Sequence, residues 1–337
     1  MLAAIVTLFG GLLLLYKGAD WLVGGSSSLA RRLGIKPIVI GLTVVAFGTS
    51  APELFVNLTA SFAGKADIAV SNIIGSNIAN ILLILGVVAA IRPLRLRTDT
   101  VSRQIPLALL ASALVLVLAN DRLLVGRALD RLDHIDGIIL LAFFAAFLYY
   151  VVTIAAREPD KDGIDKKAVG ISLGLLALGL LGLSLGGKLT VDGAVGIAQL
   201  LGLSERFIGL TIIAIGTSLP ELLTSVVAVI KRHDDIAVGN IVGSNIFNIF
   251  WILGLSATIR PLPVSQSNLF DILVVIGATV LLLVFSLMNG KRGLTHWFKV
   301  FFARQASPEE GFAVRRWQGA VLISLYAAYL AMLLASM

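Results

Sequence analysis

Residues 41–54 read GLTVVAFGTSAPEL, and residues 209–222 read GLTIIAIGTSLPEL. Each places a proline, with a glutamate directly behind it, inside an otherwise apolar run. Proline has no N–H and its ring clashes with the carbonyl four residues back, so a helix through either stretch is predicted to break, freeing the carbonyl of Gly48 or Gly216. A carboxylate beside such a break in a hydrophobic segment is costly to bury and marks a functional position by default. Lipid cannot satisfy the freed carbonyls, so the breaks belong beside protein or a cavity.

The similarity extends well beyond the two quoted stretches. Residues 33–94 align with 201–262 at a constant offset of 168 without a gap, and 34 of the 62 positions are identical. A second shared block pairs DIAVSNIIGSNIANILLILG (67–86) with DIAVGNIVGSNIFNIFWILG (235–254). A duplication kept for packing alone has no reason to preserve the Thr, Ser, Glu and Asn of both blocks.

Composition sets the surroundings. Of 337 residues, 58% are hydrophobic and 14% charged, and the mean hydropathy is +0.96. One soluble core could not hide that much apolar surface. The apolar residues fall in runs of about 20, the length that crosses roughly 30 Å of hydrocarbon. Ten candidate transmembrane helices follow: 2–30, 37–62, 68–91, 104–119, 137–155, 168–200, 206–230, 236–259, 268–289 and 317–336. The first begins at Met1 with no basic segment before it and is read as a retained span. The expected fold is an all-α polytopic membrane protein. With no cysteine, disulfides, thiolate metal sites and cysteine nucleophiles are excluded.

Loop charge gives the orientation. With the N-terminus outside, inner loops carry 19 Lys and Arg and outer loops 6 (Lys65, Arg122, Arg127, Arg131, Arg206 and Arg260). The formal charge of +7 therefore reflects membrane orientation, not nucleic-acid binding. Both termini are expected on the outer side of the plasma (inner) membrane. Each half supplies five spans, an odd number, so the second copy enters the bilayer upside down. The expected organisation is a first five-helix repeat over 1–156, a short cytoplasmic linker over 157–167, and a second, inverted five-helix repeat over 168–337. Inverted repeats of this kind build secondary transporters, with the site near the midplane.

The spacing of polar residues suggests a ligand shell. Ala46, Thr49, Ser50 and Glu53 share one helical face, as do Ala214, Thr217, Ser218 and Glu221. Ser76 and Asn80 are four apart, as are Ser244 and Asn248. Together they offer carboxylates, hydroxyls, amide oxygens and backbone carbonyls, an oxygen-only set suited to Ca²⁺ or Na⁺ and not to zinc or copper. Asn72, Asn77, Asn240 and Asn245 read equally well as ligands or as hydrogen-bonding glue between helices. Lys17 with Asp20, and Lys188 with Asp192, read as snorkelling side chains or local ion pairs. His134, His233 and His296 fall in loops and read as solvated.

At these residues the chain resembles the sodium/calcium exchanger family of the cation/Ca²⁺ antiporter superfamily, in its short prokaryotic form. That family's repeats carry GTSxPE and GSNxxN/D, here Gly48–Glu53 with Gly75–Asn80 and Gly216–Glu221 with Gly243–Asn248. The resemblance implies a transporter, not an enzyme, in which Ca²⁺ and Na⁺ are bound as substrates and no cofactor is needed. By motif position, Glu53 and Glu221 would be the shared carboxylate ligands. Thr49, Ser50, Ser76, Thr217, Ser218 and Ser244, the carbonyls of Ala46 and Ala214, and Asn80 and Asn248 would complete the shell. Well-studied relatives often have an acid at one of the last two positions; here both are Asn, so the carboxylates balance one Ca²⁺ or two Na⁺. The linker is too short for the calcium-sensing domains of animal relatives. Partners are the ions and the bilayer, and a monomer is compatible with the reading.

The alternative within the fold is a H⁺-coupled or K⁺-dependent Ca²⁺ antiporter. A channel would need a continuous pore, commonly from several subunits, which an inverted repeat within one chain does not build. An intramembrane hydrolase would need a nucleophile or an acid pair that activates water, and no such motif is present.

Overall fold

The structure, a computed structural model, describes residues 1–62, 66–121, 126, 129–155, 169–201, 214–288 and 312–335. It is mostly helical. Helix α1 spans Leu2–Leu33 and ends at Gly34 in the left-handed conformation, φ 64°, where a residue without Cβ is least strained. The first broken span follows. Helix α2 (Pro37–Ile40) runs through a π-helical stretch (Gly41–Val45) into α3 (Ala46–Thr49), and α4 covers Ala51–Phe62. The two parts are bent by 46°. Next come α5 (Ala66–Ile78), a π stretch (Ala79–Ile84) and α6 (Leu85–Ile91), then β1 (Leu94–Leu96), a π turn (Thr100–Gln104) and α7 (Ile105–Leu118). Strand β2 (Arg131–Leu132) and α8 (His134–Ala155) complete the first half.

The second half repeats the order. Helix α9 covers Val169–Leu200, and α10 (Ala214–Thr217) and α11 (Leu219–Ile230) flank the second break. Helix α12 (Asp234–Ile246), a π stretch (Phe247–Leu253) and α13 (Gly254–Ile259) follow, then β3 (Leu262–Pro263), α14 (Gln266–Met288), β4 (Phe312–Val314) and α15 (Arg316–Ala335). Among the described residues eight helices are long and apolar enough to cross a membrane, or nine with the bent pair counted as one. The expected linker, His296 and the first part of the expected span 206–230 lie outside the described residues.

The four short strands were not expected. Helices α6 and α13 both stop two residues before a proline, and the intervening Arg92 (φ −151°, ψ 139°) and Arg260 (φ −151°, ψ 137°) take nearly the same extended geometry. Proline's ring disfavours helical backbone in the residue ahead of it. The chain therefore leaves each helix extended, and β1 pairs antiparallel with β4 (Leu94↔Val314) and β2 with β3 (Leu132↔Leu262).

The chain divides into two compact units that cut across the sequence halves: Met1–Phe55 with Phe147–Ser244, and Val56–Ala146 with Asn245–Met337. In the first unit α1 and α9 lie antiparallel along a seam of small residues. A Cβ on Gly11 would sit 2.5 Å from Thr190 N, one on Gly18 2.6 Å from Leu183 N, and one on Gly25 2.9 Å from Ser172 O. Glycine at this seam lets the backbones touch, the way small residues join helices in lipid. The π stretch Gly41–Val45 rests on α12, where a Cβ at Gly243 would meet Ala46 Cβ at 2.8 Å and Leu42 Cα at 3.0 Å. Asp20 of α1 pairs with Lys231 Nζ at 2.6 Å, not with Lys17. His233 is half-buried, not solvated as expected.

In the second unit α15 crosses α6 closely, a Cβ at Gly319 lying 2.6 Å from Gly86 O. Phe144 of α8 meets Phe247 and Trp251, with centroids at 5.0 and 5.2 Å. His134 opens α8, its Nδ1 2.9 Å from Thr258 O. Apolar side chains also face outward, among them Phe9 and Leu13 on α1, Leu178 and Leu181 on α9, and Leu273 and Val284 on α14. A lipid environment is what such surfaces require, and the protein is an integral membrane protein.

Candidate ion site

Both PE motifs build the same local backbone. The helix breaks at the serine two residues ahead of the proline: Ser50 has φ −82°, ψ 8° and Ser218 φ −87°, ψ 3°. This bridge region is sparsely populated and recurs at functional sites. Proline then takes the second position of the new helix, where its missing N–H would have had no intrahelical partner. Glu53 and Glu221 therefore fall in the first turns of α4 and α11. A helix N-terminus favours negative charge there.

The first compact unit brings both motif copies together. Glu53 and Glu221 are each 1% exposed. Ser50 Oγ of the first copy donates to Glu221 Oε1 of the second at 3.0 Å. Thr49 Oγ1, also fully buried, donates to Asn240 Oδ1 at 2.9 Å. Asn240 Nδ2 in turn donates to Ser225 Oγ at 3.0 Å and to Glu221 O at 3.3 Å. Thr49 and Ser244 stand near the Glu221 carboxylate, yet Oε2 accepts no hydrogen bond, and neither does buried Ser218 Oγ make one. Thr217, the last residue of α10, is only half-buried. Ala46 O accepts Ser50 N–H at 3.0 Å. Proline removes the N–H of residue 52, not that of residue 50, so the carbonyl at 46 keeps its helical bond. Ala214 opens α10.

The remaining sequence-derived ligands, Ser76, Asn80 and Asn248, belong to the second unit. There the repeat shows as a pair of equivalent bonds. Asn80 Nδ2 donates to Asn245 Oδ1 at 2.9 Å, and Asn248 Nδ2 donates to Asn77 Oδ1 at 2.9 Å. The offset of 168 turns either bond into the other. Their amide oxygens, Asn80 Oδ1 and Asn248 Oδ1, are buried and accept no hydrogen bond. Asn77 and Asn245 thus use their side chains to hold Asn80 and Asn248, a positioning role left open by the sequence. Asn72 likewise donates to Asn57 Oδ1 at 2.8 Å, the counterpart of Asn240 with Ser225. Asn80 and Asn248 both sit in π stretches, a helix form frequent at functional sites.

Buried oxygens without donors are expensive unless a cation takes them up. The donor set contains no sulfur or imidazole, and among the described residues no group of three or more His, Cys, Asp or Glu side chains could hold a metal. Two carboxylates with neutral oxygens around them suit an ion that must bind and leave.

Comparison with known proteins agrees with this chemistry. The family model for the sodium/calcium exchanger protein matches residues 3–153 and 171–335. The inner membrane protein YrbG of Escherichia coli K12 is 43% identical over 273 residues, covering 77% of this chain and 81% of that one. The sodium/calcium exchanger MaX1 of Methanosarcina acetivorans is 32% identical over 358 residues, covering 96% of each. Among solved structures, the sodium-calcium exchanger NCX_Mj, soaked with Na⁺ and Ca²⁺, aligns with a TM-score of 0.80 at 32% identity over 98% of both chains. The chain belongs to the sodium/calcium exchanger family.

Proposed function

We propose that this protein is a secondary antiporter that exchanges Na⁺ for Ca²⁺ by alternating access. The observation that carries the reading is the Ser50–Glu221 bond, which joins two copies of one broken-helix motif around buried carboxylates. Glu53 and Glu221 are the shared ligands of both ions. Thr49, Ser50, Thr217, Ser218 and Ser244 supply oxygens with them. The motif also assigns Ser76, Asn80 and Asn248 to the shell, together with the carbonyls of Ala46 and Ala214, and that part rests on sequence. Ten spans form two inverted five-helix halves, 1–156 and 168–337, joined by the cytoplasmic linker 157–167, with both termini outside.

Bare carboxylates inside the bilayer are costly, so the pair crosses between faces only when an ion neutralises it. That requirement couples the fluxes, since one Ca²⁺ or two Na⁺ each discharge two carboxylates. The α1–α9 glycine seam is the surface along which the gating helices slide. Ca²⁺ uptake into vesicles under separately imposed Na⁺, K⁺ and H⁺ gradients tests the reading. Uptake driven by the Na⁺ gradient alone is expected, and uptake driven only by H⁺ or K⁺ contradicts it.

A further inference from the structure

Beside the second motif the first compact unit holds a cavity of about 190 Å³. Ser184, Lys188 and Asp192 line one wall, and Gly216, Thr217 and Pro220 line another. Pro52 of the first motif also lines it, so the cavity abuts both helix breaks.

The charges on its wall are out of place for a lipid-facing helix. Ser184, Lys188 and Asp192 recur every four residues and share one face of α9. The α1 seam uses a different face, through Gly179, Gly182, Gly186 and Gly193. At ~1.5 Å per residue, Lys188 lies about 5 Å and Asp192 about 11 Å from the helix midpoint. Both distances fall within the roughly 15 Å half-thickness of the hydrocarbon. Among the described residues neither side chain makes an ion pair or hydrogen bond. Both side chains are exposed; ionised groups at this depth require water, and water-lined charges inside a membrane mark ion routes.

The opposite end of the same bundle is tied. Asp20 and Lys231 join α1 to the C-terminal end of α11 at 2.6 Å, whereas the cavity adjoins the N-terminal end of α11. The 12 residues of α11 separate the two levels by roughly 18 Å. One end carries a partly exposed ion pair, and the other a cavity reaching Thr217.

We propose that this cavity is the access vestibule for the exchanged cations, and that Asp192 and Lys188 set its electrostatic potential with opposite signs. The inference rests on the exchanger reading and adds residues outside the motifs. Asp192 concentrates cations at the mouth and Lys188 tempers that concentration. A potential acts in proportion to ionic charge, so its effect on Ca²⁺ is the square of its effect on Na⁺.

The test uses full-length protein in vesicles at low ionic strength, with half-saturation measured on the face where the Leu200 end of α9 lies. Asp192→Asn is expected to raise the Na⁺ half-saturation about twofold and that of Ca²⁺ about fourfold. Lys188→Gln is expected to lower both in the same ratio, and Asp192→Glu to restore the original values. Inert salt at about 0.15 M should shrink every shift, since the screening length falls to about 8 Å. Half-saturation that is unchanged in both variants, or shifted in the same direction by both, overturns the vestibule while wild-type exchange stands. A wild type without Na⁺-driven Ca²⁺ uptake overturns the exchanger reading and the vestibule with it.

Discussion

Ser50 and Ser218 occupy equivalent places in the two motifs with the same backbone angles, but only Ser50 spends its hydroxyl on a glutamate. The amides behave more symmetrically, each of Asn80 and Asn248 being held by the asparagine three positions before its repeat partner. Asn245→Ala removes the acceptor of Asn80 Nδ2 in a buried site, which should cost about 1–3 kcal/mol. The double variant Asn80→Ala/Asn245→Ala should lose less than the sum of the single losses, as read from denaturant unfolding in detergent. His233, in the turn between α11 and α12, has its imidazole pKa held below the ordinary value by burial, then by the charges of Arg31 and Lys231. Folding therefore favours the neutral ring. Its stabilisation is full above the ordinary pKa of about 6.5 and is lost as pH falls toward the lower folded value. Thermal unfolding should show a loss on acidification that His233→Gln flattens. The glutamates, hydroxyls and asparagines stand out in the sequence because each occurs twice in one register. Their partners could not. Thr49 meets Asn240 and Asn80 meets Asn245 across 191 and 165 residues, and no local pattern encodes such pairings.

Each PE motif forces a helix end, yet the break falls at the serine, and the bend in the first span is 46°. Position and sign of the break follow from proline's missing N–H and ring. The angle does not, because it depends on what the two parts pack against. The π stretches at Gly41–Val45, Ala79–Ile84 and Phe247–Leu253 were not foreseen either, since an inserted residue leaves hydrophobic periodicity nearly unchanged over so few positions. The strands after Pro93 and Pro261 follow from those prolines once their partners are known. At this scale the α1–α9 seam makes a sharp prediction. Gly18→Val places a branched side chain against the backbone of α9 and should destabilise by about 1–3 kcal/mol. Gly10→Val is the matched control, because its Cβ would meet nothing within 4 Å, and its unfolding temperature should stay close to wild type.

For the whole molecule, composition and loop charge already implied a polytopic membrane protein, and outward apolar helices bear that out. The compact units could not be read from the sequence halves, because each draws on both. The chain contains no cysteine, so a single introduced cysteine reports the side of the membrane cleanly. One placed at Lys36 should react with an impermeant maleimide only from the inner face, and one at Arg260 only from the outer face. The opposite pattern at both positions would reverse the orientation. The proposed function joins all three scales in one requirement, that a cation discharge Glu53 and Glu221 before the protein changes face. The direct measurement is Ca²⁺ uptake into proteoliposomes loaded with Na⁺, comparing wild type with Glu221→Gln. Saturable uptake that needs internal Na⁺ and falls at least about tenfold in the variant is predicted, a loss of about 1.4 kcal/mol or more. Uptake that persists in Glu221→Gln, or that ignores the Na⁺ gradient, would contradict the account.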